Sequence, residues 1–222
     1  MDTLLIVNGI LTPADSASWG IEAEARFKTD HPELNVLYRH YWAGPVAPWT
    51  CWVRNPREAR HLVNRLERLA SEDFRLRIVA HSNGTNIAVH VMNGLAARGI
   101  RTDAAVLIGS ALHSRVDRSS LLGLVEHGHL GRTVAYCDPG DRVTSRRREW
   151  VPFWWGGLGS QGFRGPDKKR FGAEVDGFEP APESEAFVTR MFSGLGHNGY
   201  FRPASNLDRT LSMVEADLGL AV

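Results

Sequence analysis

The sequence has 222 residues, 43% of them hydrophobic, which suits one domain with a sizeable core. Its 26 Lys and Arg side chains nearly balance 25 Asp and Glu side chains, and the net charge of +1 gives no signal of nucleic-acid binding. Two cysteines are too few for a disulfide scaffold. The apolar run Leu4–Val7 is too short for a signal peptide, and no segment is apolar enough to span a bilayer. We therefore expect a cytoplasmic protein without stable membrane insertion.

Strand and helix patterns alternate along the whole chain. In chain order the sequence predicts a strand at Thr3–Ile10, a helix at Ser16–Thr29, a strand at Leu34–Trp42, a helix opening at Asn55, a strand at Phe74–His81, a helix at Gly84–Arg98, a strand at Ala104–Ser110, a helix around Arg118–Glu126, strands at Arg132–Cys137 and Ala186–Phe192, and a closing helix at Asn206–Leu218. Near-continuous apolar strands separated by helices indicate a mainly parallel sheet with helices on both faces. Residues 1–222 are thus expected to form one domain.

Two segments stand out within this alternation. Asn55-Pro56 opens the clearest helix, with Asn55 expected as its N-cap. Residues 144–184 contain several tryptophans, glycines and prolines but no clear element, and so long a stretch predicts an aromatic-rich functional loop or a lid-like insertion.

A serine follows the buried strand Phe74–His81 directly. Ala80-His81-Ser82-Asn83-Gly84 has small residues two positions before and after Ser82, as a sharp and strained strand-to-helix turn requires. Such a turn lifts the hydroxyl clear of the sheet, and the following helix points its N-terminus at charge that develops during acyl transfer. This pattern is a nucleophile elbow.

A serine nucleophile needs a base, and the base needs an acid that orients it. Asp138-Pro-Gly-Asp141 follows the strand Arg132–Cys137, and Gly196-His197-Asn198 follows the last strand. We favour Asp141 as the acid because Asp-Pro-Gly is typical of a turn, and Asp138 is the alternative. His81 precedes Ser82, but its side chain should point away from the hydroxyl, so His197 is the preferred base.

With these motifs the chain resembles the α/β-hydrolase superfamily, as a small serine esterase or lipase-like member. Asp141-Arg-Val143 is similar to the acid motif of the family, and Asn8-Gly9-Ile10 resembles its oxyanion loop with Asn in place of His. The resemblance implies that the backbone N–H groups of Ile10 and Asn83 hold the oxyanion. It also implies a minimal six-stranded sheet in the order 2-1-3-4-5-6.

Tryptophans follow the second strand and the acid. Trp42, Trp154 and Trp155 are expected at one rim of the sheet, where they either wall an apolar substrate pocket or pack the long loop as a small satellite core. The remaining histidines show no metal-ligand spacing, so neither a metal nor a cofactor is predicted.

The predicted function is cleavage of a small-molecule or lipid carboxylic ester through an acyl-enzyme, with Ser82, His197 and Asp141 as the triad. Thioesterase or amidase activity, or a cell-envelope lipid esterase of the phage type, stays open, because a fold alone settles no substrate. The hypothesis from another class is a catalytically silent scaffold that binds a ligand or partner. The sequence leaves the oligomeric state open.

Overall fold

The computed structural model describes residues 1–9, 18–40, 50–145 and 156–220, without the side chains of Cys51, Trp52 and Ser145. The described residues form one sheet of seven strands: β1 (Asp2–Val7), β2 (Asn35–Arg39), β3 (Arg75–His81), β4 (Thr102–Ile108), β5 (Leu130–Cys137), β6 (Ala173–Asp176) and β7 (Phe187–Met191). The strand order is β2-β1-β3-β4-β5-β7-β6, and every neighbouring pair is parallel. The predicted parallel α/β architecture is confirmed.

The strand count corrects the sequence prediction. The six predicted strands are β1 to β5 and β7, and they lie in the predicted order, but a seventh strand, β6, pairs with β7 at the sheet edge. Its four residues alternate between half-buried and exposed positions, so they carry no apolar run that marks a strand. Pairing with β7 makes this segment a strand. The lid-like role of 144–184 stays a prediction, and residues 146–155 lie outside the described ranges.

Helices cover both faces of the sheet. The described helices are α1 (Trp19–Asp30), α2 (Asn55–Glu67), α3 (Gly84–Ala96), α4 (Leu121–Glu126), α5 (Arg142–Ser145), α6 (Leu158–Gln161) and α7 (Ala204–Asp217). Because successive strand residues point to opposite faces, Leu5 and Val7 of β1 join the core beneath α2 and α3, whereas Leu4 and Ile6 join the core beneath α1 and α7. None of the helices in the described ranges has the length and apolarity to cross a bilayer.

Helix α2 begins at Asn55, but Asn55 is not its cap. A π-helical turn at Thr50–Arg54 leads directly into α2, so Arg54 holds the cap position in a helical conformation. The Asn55 side chain is fully buried and exchanges two hydrogen bonds of 3.0 Å with the side chain of Asn83. A residue predicted to cap the start of α2 therefore connects α2 to the turn after β3.

Candidate active site

The turn after β3 carries Ser82 at the carboxyl-terminal edge of the sheet. β3 ends at His81 and α3 begins at Gly84, so two residues make the turn. Ser82 has a φ of +53°, in the left-handed region that residues with a side chain rarely adopt. Its backbone N–H donates to the Ile108 carbonyl at 3.0 Å, and its carbonyl accepts the Thr85 hydroxyl at 2.6 Å. These bonds hold Ser82 in the strained conformation of a nucleophile elbow.

Close backbone contacts explain the glycines around Ser82. A Cβ atom on Gly84 would lie 2.4 Å from the carbonyl oxygen of Asn8, so α3 can start this close to β1 only with glycine. A Cβ atom on Gly9 would lie 2.9 Å from the Cβ atom of Ser82. Asn8 and Gly9, which follow β1, therefore lie directly beside the elbow.

His197 lies in the loop after β7, which we call the histidine loop (residues 193–200). Its Nε2 atom is 2.9 Å from the Ser82 Oγ atom. Gly194 and Gly196 have φ values of +80° and +61°, so the turns of this loop need glycine. The imidazole also packs against Gly109, where a Cβ atom would lie 3.3 Å from Nδ1 of His197. A neutral imidazole in this place can accept the proton of the serine hydroxyl.

Asp141 contacts the other nitrogen of the imidazole. Its Oδ2 atom accepts the Nδ1–H of His197 at 2.9 Å and the Thr144 hydroxyl at 2.8 Å. Its Oδ1 atom accepts the backbone N–H groups of Val143 at 2.9 Å and Thr144 at 3.2 Å. Burial by itself raises the pKa of Asp141, but the hydrogen bond and charge of His197 and the bonds from Thr144 outweigh it and leave this pKa below its ordinary value. The carboxylate thus stays charged and holds the Nδ1–H tautomer.

Asp138, the alternative acid, bonds to the backbone of the histidine loop. Its Oδ1 atom accepts the Gly140 N–H at 2.7 Å, which is the expected turn contact. Its Oδ2 atom accepts the N–H groups of Leu195 at 2.6 Å and Gly196 at 2.7 Å. The structure therefore brings both carboxylates to the loop of His197, and Asp141 is the one that bonds to the ring.

His81 lies behind the imidazole of His197. It is only 5% exposed, its ring centroid is 4.9 Å from that of His197, and its Nε2–H donates to the His197 carbonyl at 3.2 Å. Trp19 and Phe201 pack edge-on against its ring. Burial, together with the nearby charge of His197, lowers the pKa of His81 to about 3, so this imidazole is neutral across the physiological range.

Solved structures with a similar arrangement of strands and helices cover nearly the whole chain. RedJ-thioesterase from the prodiginine biosynthetic pathway of Streptomyces coelicolor has a TM-score of 0.52 over 98% of this chain and 90% of its own, at 16% identity. An esterase of Pyrobaculum calidifontis has a TM-score of 0.55 over 100% and 78% of the two chains, at 11% identity. The NocB thioesterase domain, in covalent complex with a fluorophosphonate nocardicin G analogue, has a TM-score of 0.51 over 98% and 95%, at 14% identity.

The chain has the α/β-hydrolase fold. Esterases and thioesterases of this fold match it at near-full coverage, which confirms the resemblance predicted from the motifs as far as the fold. By sequence, the chain matches no protein-family model and no curated protein. The roles of individual residues must therefore be argued from the geometry of this chain itself.

Several predicted site residues lie outside the described ranges: Ile10, Trp42, Trp154 and Trp155. Asn83 follows Ser82 and is buried at the start of α3, with its side chain paired to Asn55. Within the described ranges, no group of three or more His, Cys, Asp or Glu side chains is arranged to hold a metal ion.

Sequence reasoning did not predict how two groups contact the histidine loop. The sequence gives Asp138 as the alternative acid and as a turn residue, and the Asp-Pro-Gly pattern does describe its bond to Gly140, but nothing local predicts its bonds to a loop 57 residues away. His81 was expected to point away from the nucleophile, and only the packed structure shows that this direction leads to the backbone of His197. The signal that the sequence offers for both His81 and Asp138 is a polar side chain at the end of a strand whose last residues are otherwise apolar.

Proposed function

We propose that this α/β-hydrolase is a serine hydrolase that cleaves a carboxylic ester through an acyl-enzyme. The observation that carries the proposal is the continuous chain of hydrogen bonds from Ser82 through His197 to Asp141, with both links at 2.9 Å. Nucleophile, base and orienting acid in mutual contact are what acyl transfer by serine requires. Each comes from a different strand end, so only the folded chain assembles them.

In the proposed reaction, the Ser82 oxygen attacks the ester carbonyl carbon while its proton passes to Nε2 of His197. The carbon–oxygen bond to the alcohol then breaks, and the alcohol leaves with that proton. Water attacks the acyl-enzyme with His197 again as base, and the acid is released as the Ser82 hydroxyl reforms. Asp141 stays ionised throughout and stabilises the imidazolium.

The negative charge that forms on the carbonyl oxygen needs donors beside Ser82. We assign this role to the backbone N–H groups of Asn83 and Ile10. The support for Asn83 is its position at the start of α3, where the helix dipole favours an anion. The support for Ile10 is the sequence Asn8-Gly9-Ile10, which resembles the oxyanion loop of α/β-hydrolases, together with the close approach of Gly9 to Ser82.

A thioester is the second candidate substrate. It is favoured by the names of two proteins of similar fold, the RedJ-thioesterase and the NocB thioesterase domain. The same triad chemistry serves either bond, since a thiolate is displaced from the acyl carbon in place of an alkoxide. Comparing kcat/KM for p-nitrophenyl butyrate with that for a butyryl thioester separates the two, because the acyl group is held constant.

Labelling with a fluorophosphonate probe tests the proposal directly. We expect the wild-type protein to be labelled at Ser82 and to hydrolyse p-nitrophenyl butyrate, and we expect Ser82→Ala to lose both properties with an unchanged melting temperature. Ser119→Ala is the matched control, because the Ser119 hydroxyl is buried and donates to the Val116 carbonyl at 3.1 Å. If folded Ser82→Ala still hydrolyses the ester, Ser82 is not the nucleophile. An unlabelled and inactive wild type would favour the silent binding scaffold.

A further inference from the structure

The position of the His197 ring depends on the loop that carries it. Gly194 and Gly196 flank Leu195, two residues before His197, and both adopt left-handed conformations in which an added Cβ atom would meet nothing within 4 Å. Glycine at such positions permits the turns but gives the loop no side-chain packing of its own. Contacts from other parts of the chain therefore help to hold the ring between Ser82 and Asp141.

Asp138 supplies one such contact from the end of β5. The carboxylate is 1% exposed, and its Oδ2 atom accepts the N–H groups of two consecutive loop residues, Leu195 and Gly196, at 2.6 and 2.7 Å. Hydrogen bonds from backbone N–H to a carboxylate are about twice as strong as those between neutral groups. The Asp138 N–H donates to the Gly159 carbonyl at 2.9 Å, so the carboxylate is itself attached to a fixed part of the backbone.

His81 supplies the second contact from the end of β3. Its Nε2–H donates to the His197 carbonyl, so this bond acts on the backbone of the base itself. A carbonyl can only accept, and a buried neutral imidazole carries one proton, so the bond defines the tautomer of His81. The ring packs edge-on against Trp19 and Phe201, so a rotation of the ring would disturb that packing.

We propose that Asp138 and His81 are positioning residues that clamp the histidine loop from two strand ends and thereby hold His197 in line with Ser82 and Asp141. The proposal rests on the proposed serine hydrolase function and assigns to it two residues beyond the triad. Neither residue contacts the Ser82 oxygen or the substrate carbon in this role. They act through the backbone of residues 195–197.

The chemistry of the clamp predicts which substitution loosens it. Asn at position 138 has one acceptor oxygen where Asp has two. If that oxygen faces the N–H groups of Leu195 and Gly196, the amide NH2 group faces the Gly140 N–H, and two donors oppose each other. In the reverse orientation the NH2 group opposes the two N–H donors of the loop. Asp138→Asn must therefore lose at least one bond while it conserves size. At position 81, Gln retains an N–H at nearly the distance of Nε2, whereas Leu fills space without a donor.

The experiment compares steady-state kinetics and proton NMR of the full chain for wild type, Asp138→Asn, His81→Leu and His81→Gln. We expect Asp138→Asn to lower kcat for p-nitrophenyl butyrate by about 100-fold with KM within about twofold, because displacement of a catalytic group by about 1 Å has such an effect. The far-downfield signal of the His197 Nδ1–H, which is bonded to Asp141, should broaden or shift. His81→Leu should lower kcat in the same way, and His81→Gln should recover most of it.

Val214→Ala is the control for a purely structural effect, since Val214 is fully buried in α7 and its truncation should lower the melting temperature without changing kcat or the NMR signal. Wild-type kcat and an unchanged Nδ1–H signal in Asp138→Asn would overturn the proposal, as would equal losses in His81→Leu and His81→Gln. Failure of wild type to react with the fluorophosphonate probe would instead overturn the proposed function. The Nδ1–H signal of the resting protein still tests the clamp in that case.

Discussion

The most informative single substitution is Asp141→Asn, because the contacts of Asp141 dictate the outcome. The Oδ1 atom accepts backbone N–H groups of Val143 and Thr144, which cannot rotate away, so the Asn oxygen must stay on that side. The amide NH2 then faces the Thr144 hydroxyl and Nδ1 of His197. The hydroxyl can reverse and accept, but Nδ1 must also become an acceptor, so the imidazole proton moves to Nε2.

A proton on Nε2 blocks the base, because that nitrogen lies 2.9 Å from the Ser82 hydroxyl and can no longer accept its proton. Such a change of tautomer lowers turnover by about four orders of magnitude in enzymes with this triad. At about 1.36 kcal/mol for each factor of ten, this corresponds to about 5.4 kcal/mol of lost transition-state stabilisation. The substitution conserves size, so we expect a much smaller effect on folding.

The assay is kcat for p-nitrophenyl butyrate, with the melting temperature measured on the same samples. Thr144→Val is the matched control, since it removes only the hydroxyl that shares the Oδ2 atom with His197. The loss of one hydrogen bond of about 1 kcal/mol should change turnover by tenfold or less. If Asp141→Asn keeps more than a tenth of wild-type turnover while folded, the reasoning about the tautomer is refuted. Near-normal Asp141→Asn together with inactive Asp138→Asn would transfer the role of the acid to Asp138.

Three further outcomes follow from single features of the structure. Activity should fall on acidification because only a neutral imidazole can accept the proton of the Ser82 hydroxyl, and a rate that stays flat down to the pH at which the protein unfolds would contradict a histidine base. Gly84→Ala should lower the free energy of unfolding by about 1–3 kcal/mol, because its Cβ atom would lie 2.4 Å from the Asn8 carbonyl oxygen. Gly123→Ala in α4, where nothing lies within 4 Å, should be neutral or stabilising in the same denaturation assay. His81, with a folded-state pKa of about 3, binds its proton mainly in the unfolded state, so stability should fall as the pH drops from about 6.5 towards 3. The free energy of unfolding lost through His81 is about 4 kcal/mol at pH 3. Urea titrations at each pH should show that His81→Gln lacks this loss. An equally steep loss in His81→Gln would contradict a buried neutral imidazole at position 81.

Features that have a local pattern could be predicted from the amino-acid sequence. Six strands, their parallel pairing and their order followed from apolar runs, intervening helices and the family resemblance, since such runs must be buried on both faces of a sheet. The strained turn at Ser82 was predicted from the small residues around it, because the steric demands of a turn act within a few residues. The strand β6 was missed because its four residues have no such pattern and become a strand only against β7.

Contacts between polar groups from distant segments could not be predicted from the sequence and are seen in the folded chain. Asp138 and Asp141 are three residues apart in one turn and carry the same side chain. What separates them is that the imidazole of His197, 56 residues beyond Asp141, bonds to Asp141, whereas Asp138 accepts the backbone N–H groups of Leu195 and Gly196. Asn55 is of a residue type that often caps helices. A π-helical turn precedes it, however, and its side chain pairs with Asn83. Hydrogen bonds between distant segments depend on the positions of donor and acceptor atoms to within about an ångström. Those positions are set by the packing of the whole sheet and not by the residues nearby in sequence.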